Sequence, residues 1–141
     1  MKYSLLLGLG LCAALPACVV ETNDNGTGEP RPVAADSGAL VVDWAIDGVK
    51  DSNQCDQSAA TTIDITVTEA NGAPAGEYQQ SCRAFATTID LARGSYSSEA
   101  VLLDGGGSDR TTAVHIHSFD ILGGDQLTVP IDFAASSFYA P

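Results

Sequence analysis

An all-β fold is what this sequence predicts: a single seven-stranded antiparallel β-sandwich over residues 38–134. Three observations predict it. Apolar residues recur at every second position in runs such as Leu40, Val42, Trp44, Ile46 and Leu127, Val129, Ile131, Phe133, the period of a strand with one buried face. Turn chemistry separates these runs at short intervals, as at Asp47-Gly48, Asn71-Gly72 and Gly123-Gly124, where residues tolerant of left-handed backbone reverse the chain. No stretch within the domain carries an apolar helical period with caps.

Taken in order, a first strand runs from Gly38 to Ile46, and a polar loop carrying Cys55 follows. A second, near Thr61–Glu69, alternates Ile63, Ile65 and Val67 with Asp64, Thr66 and Thr68. Pro74 and Gly76 extend the turn after Asn71-Gly72, and Tyr78–Phe85 makes a third strand carrying Cys82. Thr87–Leu91 is a short fourth. Ser95–Leu103 is a fifth, with Tyr96, Ser98, Ala100 and Leu102 on one face. After the glycine-rich loop Asp104–Asp109, Arg110–Ile121 is a sixth and Gln126–Phe133 a seventh. Pro130 lacks an N–H for a sheet ladder, which places the seventh strand at an edge or at a break. Residues 135–141 form a C-terminal tail expected to fray.

The first 17 residues read differently. Lys2 is basic, Leu5–Ala14 is apolar, and small residues close the segment. This is the layout of an export signal, and the apolar run falls short of the roughly 20 residues a membrane span needs. Leu15-Pro16-Ala17-Cys18 resembles the bacterial lipobox. The resemblance implies cleavage before Cys18 and lipidation of its sulfur, the nucleophile that accepts the diacylglyceryl group. Several acyl chains make a stable anchor, at about 0.8 kcal/mol per buried CH2. In that family Asp after the cysteine retains the protein at the inner membrane, so Val19 implies the outer membrane. Residues 18–37 hold the lipid-bearing cysteine and a tether rich in Asn, Asp, Gly, Thr and Pro, too polar to offset the entropy of ordering.

The charge excludes one class of partner. The whole chain carries −12, with acids scattered across it, and this repels nucleic-acid phosphates. Of the four cysteines, Cys12 leaves with the signal and Cys18 is taken by lipid. Cys55 and Cys82 remain as an even pair in an exported chain, which predicts one disulfide.

Leu91-Ala92-Arg93-Gly94-Ser95-Tyr96 resembles the L-x-x-G-x-Y element of immunoglobulin-like and transthyretin-like sandwiches, the latter including carboxypeptidase regulatory-like domains. The resemblance implies that Leu91, Gly94 and Tyr96 form a corner in which the tyrosine hydroxyl bonds nearby backbone. It also implies that Trp44 is a large core filler. Trp44 precedes both cysteines, so the antibody-type Cys-Trp-Cys order is absent.

Two weak metal candidates complete the inventory. His115 and His117 share a strand face, the spacing with which zinc could take two imidazoles given a third ligand. Asp104 and Asp109 flank three glycines, a loop with oxygen donors of the kind calcium prefers. Neither matches an established ligand motif. No G-x-S-x-G elbow occurs, and no cofactor is expected. The sequence thus predicts a non-enzymatic, lipid-anchored envelope protein with a structural or protein-binding role. The alternative is a small-ligand module for a carbohydrate or divalent cation, and a hydrolase is the third reading. The expected partners are the membrane, through Cys18, and an envelope protein or glycan.

Overall fold

The structure is a computed structural model, and it describes residues 36–140. The signal, Cys18 and the tether up to residue 35 lie outside the described residues. Seven strands form two sheets packed as a sandwich: β1 (Ser37–Ile46), β2 (Thr62–Glu69), β3 (Pro74–Ser81), β4 (Ala86–Ala92), β5 (Gly94–Leu103), β6 (Val114–Ile121) and β7 (Gln126–Phe133). One sheet has the order β4-β1-β7 and the other β3-β2-β5-β6. The alternating residues do what their period predicts. Leu40, Val42, Trp44 and Ile46 of β1, Ile63, Ile65 and Val67 of β2, and Tyr96, Ala100 and Leu102 of β5 are all buried between the sheets.

Four strand pairs are antiparallel, but β1 and β7 pair in parallel, so the all-antiparallel expectation is corrected. The reason is parity. Each strand returns from the pole where its predecessor ended, so direction alternates along the chain. β1 and β7 are both odd-numbered, run the same way, and are neighbours. β7 is the edge of its sheet, where Pro130 is tolerated.

Three boundaries also shift. The third strand begins at Pro74 and stops at Ser81, earlier than the sequence suggests. β3 is an edge strand, so an opening proline costs no ladder bond. It ends because the chain must leave this sheet: a 3-10 turn, Cys82–Ala84, and the left-handed residue Phe85 (φ 55°) redirect it to the other one. The sixth strand starts at Val114, not Arg110, because residues 110–112 do not continue one ladder: Arg110 bonds β5, and Thr111 and Thr112 then turn to the C-terminal segment. Arg110 N–H donates to the Leu102 carbonyl (2.7 Å), and Thr112 N–H donates to the Ser137 carbonyl (2.9 Å). Residues 135–139 of the tail are bound to the sandwich, against the expectation of fraying. It forms a 3-10 turn, Ala135–Ser137, and Tyr139 N–H donates to the Arg110 carbonyl at 2.9 Å.

The polar loop expected after β1 holds a short helix, α1 (Ser52–Gln57). Its six residues are too few to be stable alone. Asp51 caps it by accepting from Asn53 N–H at 2.9 Å. Cys55, buried within it, forms a disulfide with Cys82.

Leu91, Gly94 and Tyr96 lie where β4 passes into β5. The Tyr96 hydroxyl donates to the Ala92 carbonyl at 2.9 Å. Leu91 is buried, and a side chain at Gly94 would press on the Tyr96 ring, 3.4 Å away. Trp44 is fully buried, and its indole N–H donates to the Cys82 carbonyl at 2.9 Å, tying the core to the disulfide.

The sandwich therefore has two distinct ends. β1 comes in at Ser37, where it packs on the turn between β6 and β7. A Cβ at Gly38 would lie 2.4 Å from the Leu122 carbonyl oxygen, so only glycine fits this approach. We call this end the proximal pole. Nine residues later, roughly 30 Å along an extended strand, β1 ends at Ile46 beside α1 and the C-terminal segment, at the distal pole.

Candidate functional site

The distal pole carries a cleft of about 430 Å3. That falls within the roughly 300–1,000 Å3 usual for small-molecule sites. Four segments far apart in sequence build it: the end of β1 with its turn (Ile46, Asp47), α1 and its C-terminus (Gln54, Gln57, Ser58, Ala59), the segment before β6 (Arg110), and the chain end (Ala135, Phe138, Tyr139).

Each wall has a local cause. Asp47 and Gly48 both adopt positive φ, 51° and 73°, and the Ile46 and Val49 backbones bond each other in both directions at 3.0 Å. This is the tight turn that an Asp-Gly pair favours, and it projects Asp47 from the end of β1. Gln54 and Gln57 stand three apart on α1 and so share a helix face. Past the helix, Ala60 N–H donates back to the Cys55 carbonyl at 2.9 Å, and Ala59 takes the left-handed position (φ 54°) where glycine is usual. Arg110 is clamped: its Nε–H donates to the Ser58 carbonyl at 3.1 Å, and its own carbonyl accepts from Tyr139 N–H.

Of the hydrogen-bonding side chains here, few are spent within the protein. Ser58 Oγ donates to the Gln54 carbonyl at 2.7 Å. The Asp47 carboxylate, both glutamine amides, the terminal guanidinium nitrogens of Arg110 and the Tyr139 hydroxyl have no hydrogen-bond partner among the described residues. Tyr139 is 47% exposed, and it is the exposed aromatic among the described residues. Phe138 beside it is partly buried against the core.

Two further clefts lie at the proximal pole. One, of about 320 Å3, is lined by Asn71, Arg93 and Tyr96 among others, and the other is about 150 Å3. In the first, Asn71 is already committed, donating to Glu69 at 3.0 Å and accepting from Ala73 N–H at 2.7 Å. The distal cleft is larger, and most of its polar side-chain groups make no hydrogen bond among the described residues.

The residues singled out in the sequence lie elsewhere. His115 and His117 are both exposed on the outer face of β6, and His115 Nδ1 lies 2.9 Å from Glu99 Oε1 on β5. The Asp104 carboxylate is occupied with its own loop, accepting from Gly106 N–H at 2.8 Å and Ser108 N–H at 2.9 Å. Those bonds hold its pKa below the ordinary aspartate value. Asp109 faces the end of β5, bridged to Leu103. Among the described residues no group of three or more metal-ligating side chains converges. Trp44 is buried and offers no ring to a ligand. The cleft itself was missed in the sequence, because its residues share no spacing and its aromatic sits in the segment read as fraying.

One carboxylate outside the cleft is informative about stability. Asp64 lies on the outer face of β2, between Gln79 of β3 and Val101 of β5, and one of its oxygens is buried without a partner. Burial, and then the nearby Glu77 charge, raise its pKa. A raised folded-state pKa means that the folded state binds the proton more tightly. Asp64 therefore weakens the fold near neutrality, and the penalty is relieved as pH falls through that raised value. Asp64→Asn should raise the melting temperature at pH 7, and the gain should shrink as pH falls through the raised value toward the ordinary aspartate value of about 3.9. A gain that is absent at pH 7, or that grows on acidification, would contradict this account.

No family model and no curated protein matches the chain. Two solved structures resemble it. A leucine-rich repeat protein from Bacteroides thetaiotaomicron VPI-5482 is 17% identical with a TM-score of 0.42, over 72% of this chain and 14% of that one. A second protein from the same organism, described as a proposed polysaccharide-binding protein (DUF1812), is 13% identical with a TM-score of 0.39, over 65% of this chain and 46% of that one. The chain thus spans less than half the length of either.

Proposed function

We propose that the chain is a lipid-anchored protein of the cell envelope, moored through Cys18, whose sandwich is a non-catalytic binding module. The observation that carries the binding role is the distal cleft, with its uncommitted polar side chains around a half-exposed tyrosine. Five such side chains, with polar atoms that make no hydrogen bond among the described residues, can offer those atoms to a partner. The cleft also lies at the pole opposite Ser37, where the sandwich takes up the chain from the tether side. The non-enzymatic reading draws support from the lining: among the described residues no cysteine or histidine borders the cleft, and its serine hydroxyl is bonded to backbone. The immunoglobulin-like or transthyretin-like relationship draws support from the Tyr96 corner. Export draws support from the Cys55–Cys82 disulfide, a bond of oxidising compartments. Val19 after the lipid-bearing cysteine favours the outer membrane.

Replacing Cys18 by serine removes the only atom proposed to carry lipid. The full chain expressed in a Gram-negative host should incorporate labelled palmitate and sediment with membranes, whereas Cys18→Ser should do neither. Equal labelling and sedimentation of the two would defeat the anchor and the location with it.

A further inference from the structure

We infer that the distal cleft is a saccharide site, taking a neutral sugar ring against Tyr139. The inference deepens the binding-module reading and rests on it.

The chemistry of the lining selects this ligand class. A sugar ring presents an apolar C–H face and a rim of hydroxyls, each able to donate and to accept. Tyr139 offers the complementary surface: an aromatic ring, 47% exposed, on an apolar floor of Ile46, Ala59 and Phe138. Other aromatic side chains of the sandwich, such as Trp44, Tyr96 and Phe133, are buried in the core, so this ring stands apart in its exposure. Around it the free groups cover both hydrogen-bonding senses. Asp47 only accepts, Arg110 only donates, and Gln54 and Gln57 do both.

Charge argues against the alternatives. The lining carries one acid, Asp47, and one base, Arg110, so its formal charges balance in a chain of −12. An anionic ligand would meet the field of the whole molecule and the Asp47 carboxylate. A divalent cation would find one carboxylate and a guanidinium in the lining, where it needs several oxygen donors. A neutral polyhydroxylated ligand meets neither obstacle.

The site is also held before a ligand arrives. Arg110 and Tyr139 are joined through backbone at 2.9 Å, and Arg110 Nε is fixed on Ser58. The glutamines ride on a helix capped by Asp51 and fastened at Cys55 by the disulfide. Preformed geometry reduces the ordering cost of binding.

The test is a titration of the full-length chain, purified in detergent, with cellohexaose, xylohexaose and laminarihexaose, and with trigalacturonate as an acidic comparison. At least one neutral oligosaccharide should bind saturably. Tyr139→Ala should weaken it by roughly tenfold or more, as loss of a stacked ring and a hydroxyl implies. Tyr139→Phe, which keeps the ring, should weaken it far less, and Gln57→Ala should fall between them. Thermal melts of the variants, matched to the parent, separate lost contacts from lost folding. Binding of trigalacturonate alone, abolished by Arg110→Gln, would overturn the inference in favour of an anion site. Neutral binding that Tyr139→Ala leaves unchanged would overturn it too, by moving the site elsewhere. If no saccharide binds while palmitate labelling of Cys18 proceeds, the ligand class falls and the anchored module stands.

Discussion

Trp44→Ala is expected to cost about 3–5 kcal/mol of folding stability, as removal of a large aromatic from a packed core does. Trp44 is fully buried among residues of both sheets. Its loss leaves a cavity that the flanking strands, fixed by their hydrogen bonds, can fill only in part. A second cost follows from its N–H, which satisfies the Cys82 carbonyl at 2.9 Å. That acceptor would be left without its donor, at roughly 1 kcal/mol or more. Because domains of this size are stable by only about 5–15 kcal/mol, the variant should be partly unfolded or close to it. Urea unfolding followed by far-UV circular dichroism reads this directly. Trp44→Phe keeps most of the volume and removes the donor, so it should sit well above Trp44→Ala. Two variants of equal and small effect would mean that the core does not depend on this residue.

The second large effect belongs to the disulfide. Its sequence separation is 27, and breaking the bond should cost roughly 3–4 kcal/mol by chain-entropy reasoning. The loss should be concentrated on one element. The six residues of α1 have little intrinsic stability, and Cys55 is the buried residue that pins them to the sandwich. Cys55→Ala/Cys82→Ala should therefore lower the urea midpoint and free the amides of α1 for fast exchange while β2 and β5 stay protected. The wild-type chain in a thiol reductant should behave like the double variant, and the double variant should not respond to reductant. If reduction leaves α1 protected, the helix is held by packing alone. Gln54 and Gln57 stand on this helix, so the same bond supports the cleft wall.

These two effects were legible from sequence to different degrees. The alternation of β1, β2, β5 and β7 was readable because each buries one face against the opposite sheet, so every second residue is constrained. β3 was displaced because Pro74-Ala75-Gly76-Glu77 has no such alternation. An edge strand with a mostly exposed pattern leaves little trace in apolar spacing. α1 was missed because two tertiary devices hold it, the Cys55 bridge and the Asp51 cap, and not a helical apolar stripe. The parallel β1–β7 pair depends on which strands become neighbours, and no local pattern encodes that. The cleft was the least legible feature. Asp47, Gln57, Arg110 and Tyr139 are brought together only when four chain segments meet at one pole. The histidine pair and the aspartates of the glycine loop stood out in sequence, yet the structure spends Asp104 on its own turn and leaves both histidines on an exposed strand face.

The most direct measurement of the central claim is hydrogen–deuterium exchange on the full-length chain with and without saturating cellohexaose, xylohexaose or laminarihexaose. A binding module built around the distal cleft predicts slowed exchange confined to residues 46–60, 109–112 and 135–140, with the proximal turns unchanged. Protection centred on the outer face of β6 or on the proximal pole, or none with any of the three sugars, would contradict the assignment of this cleft as a saccharide site.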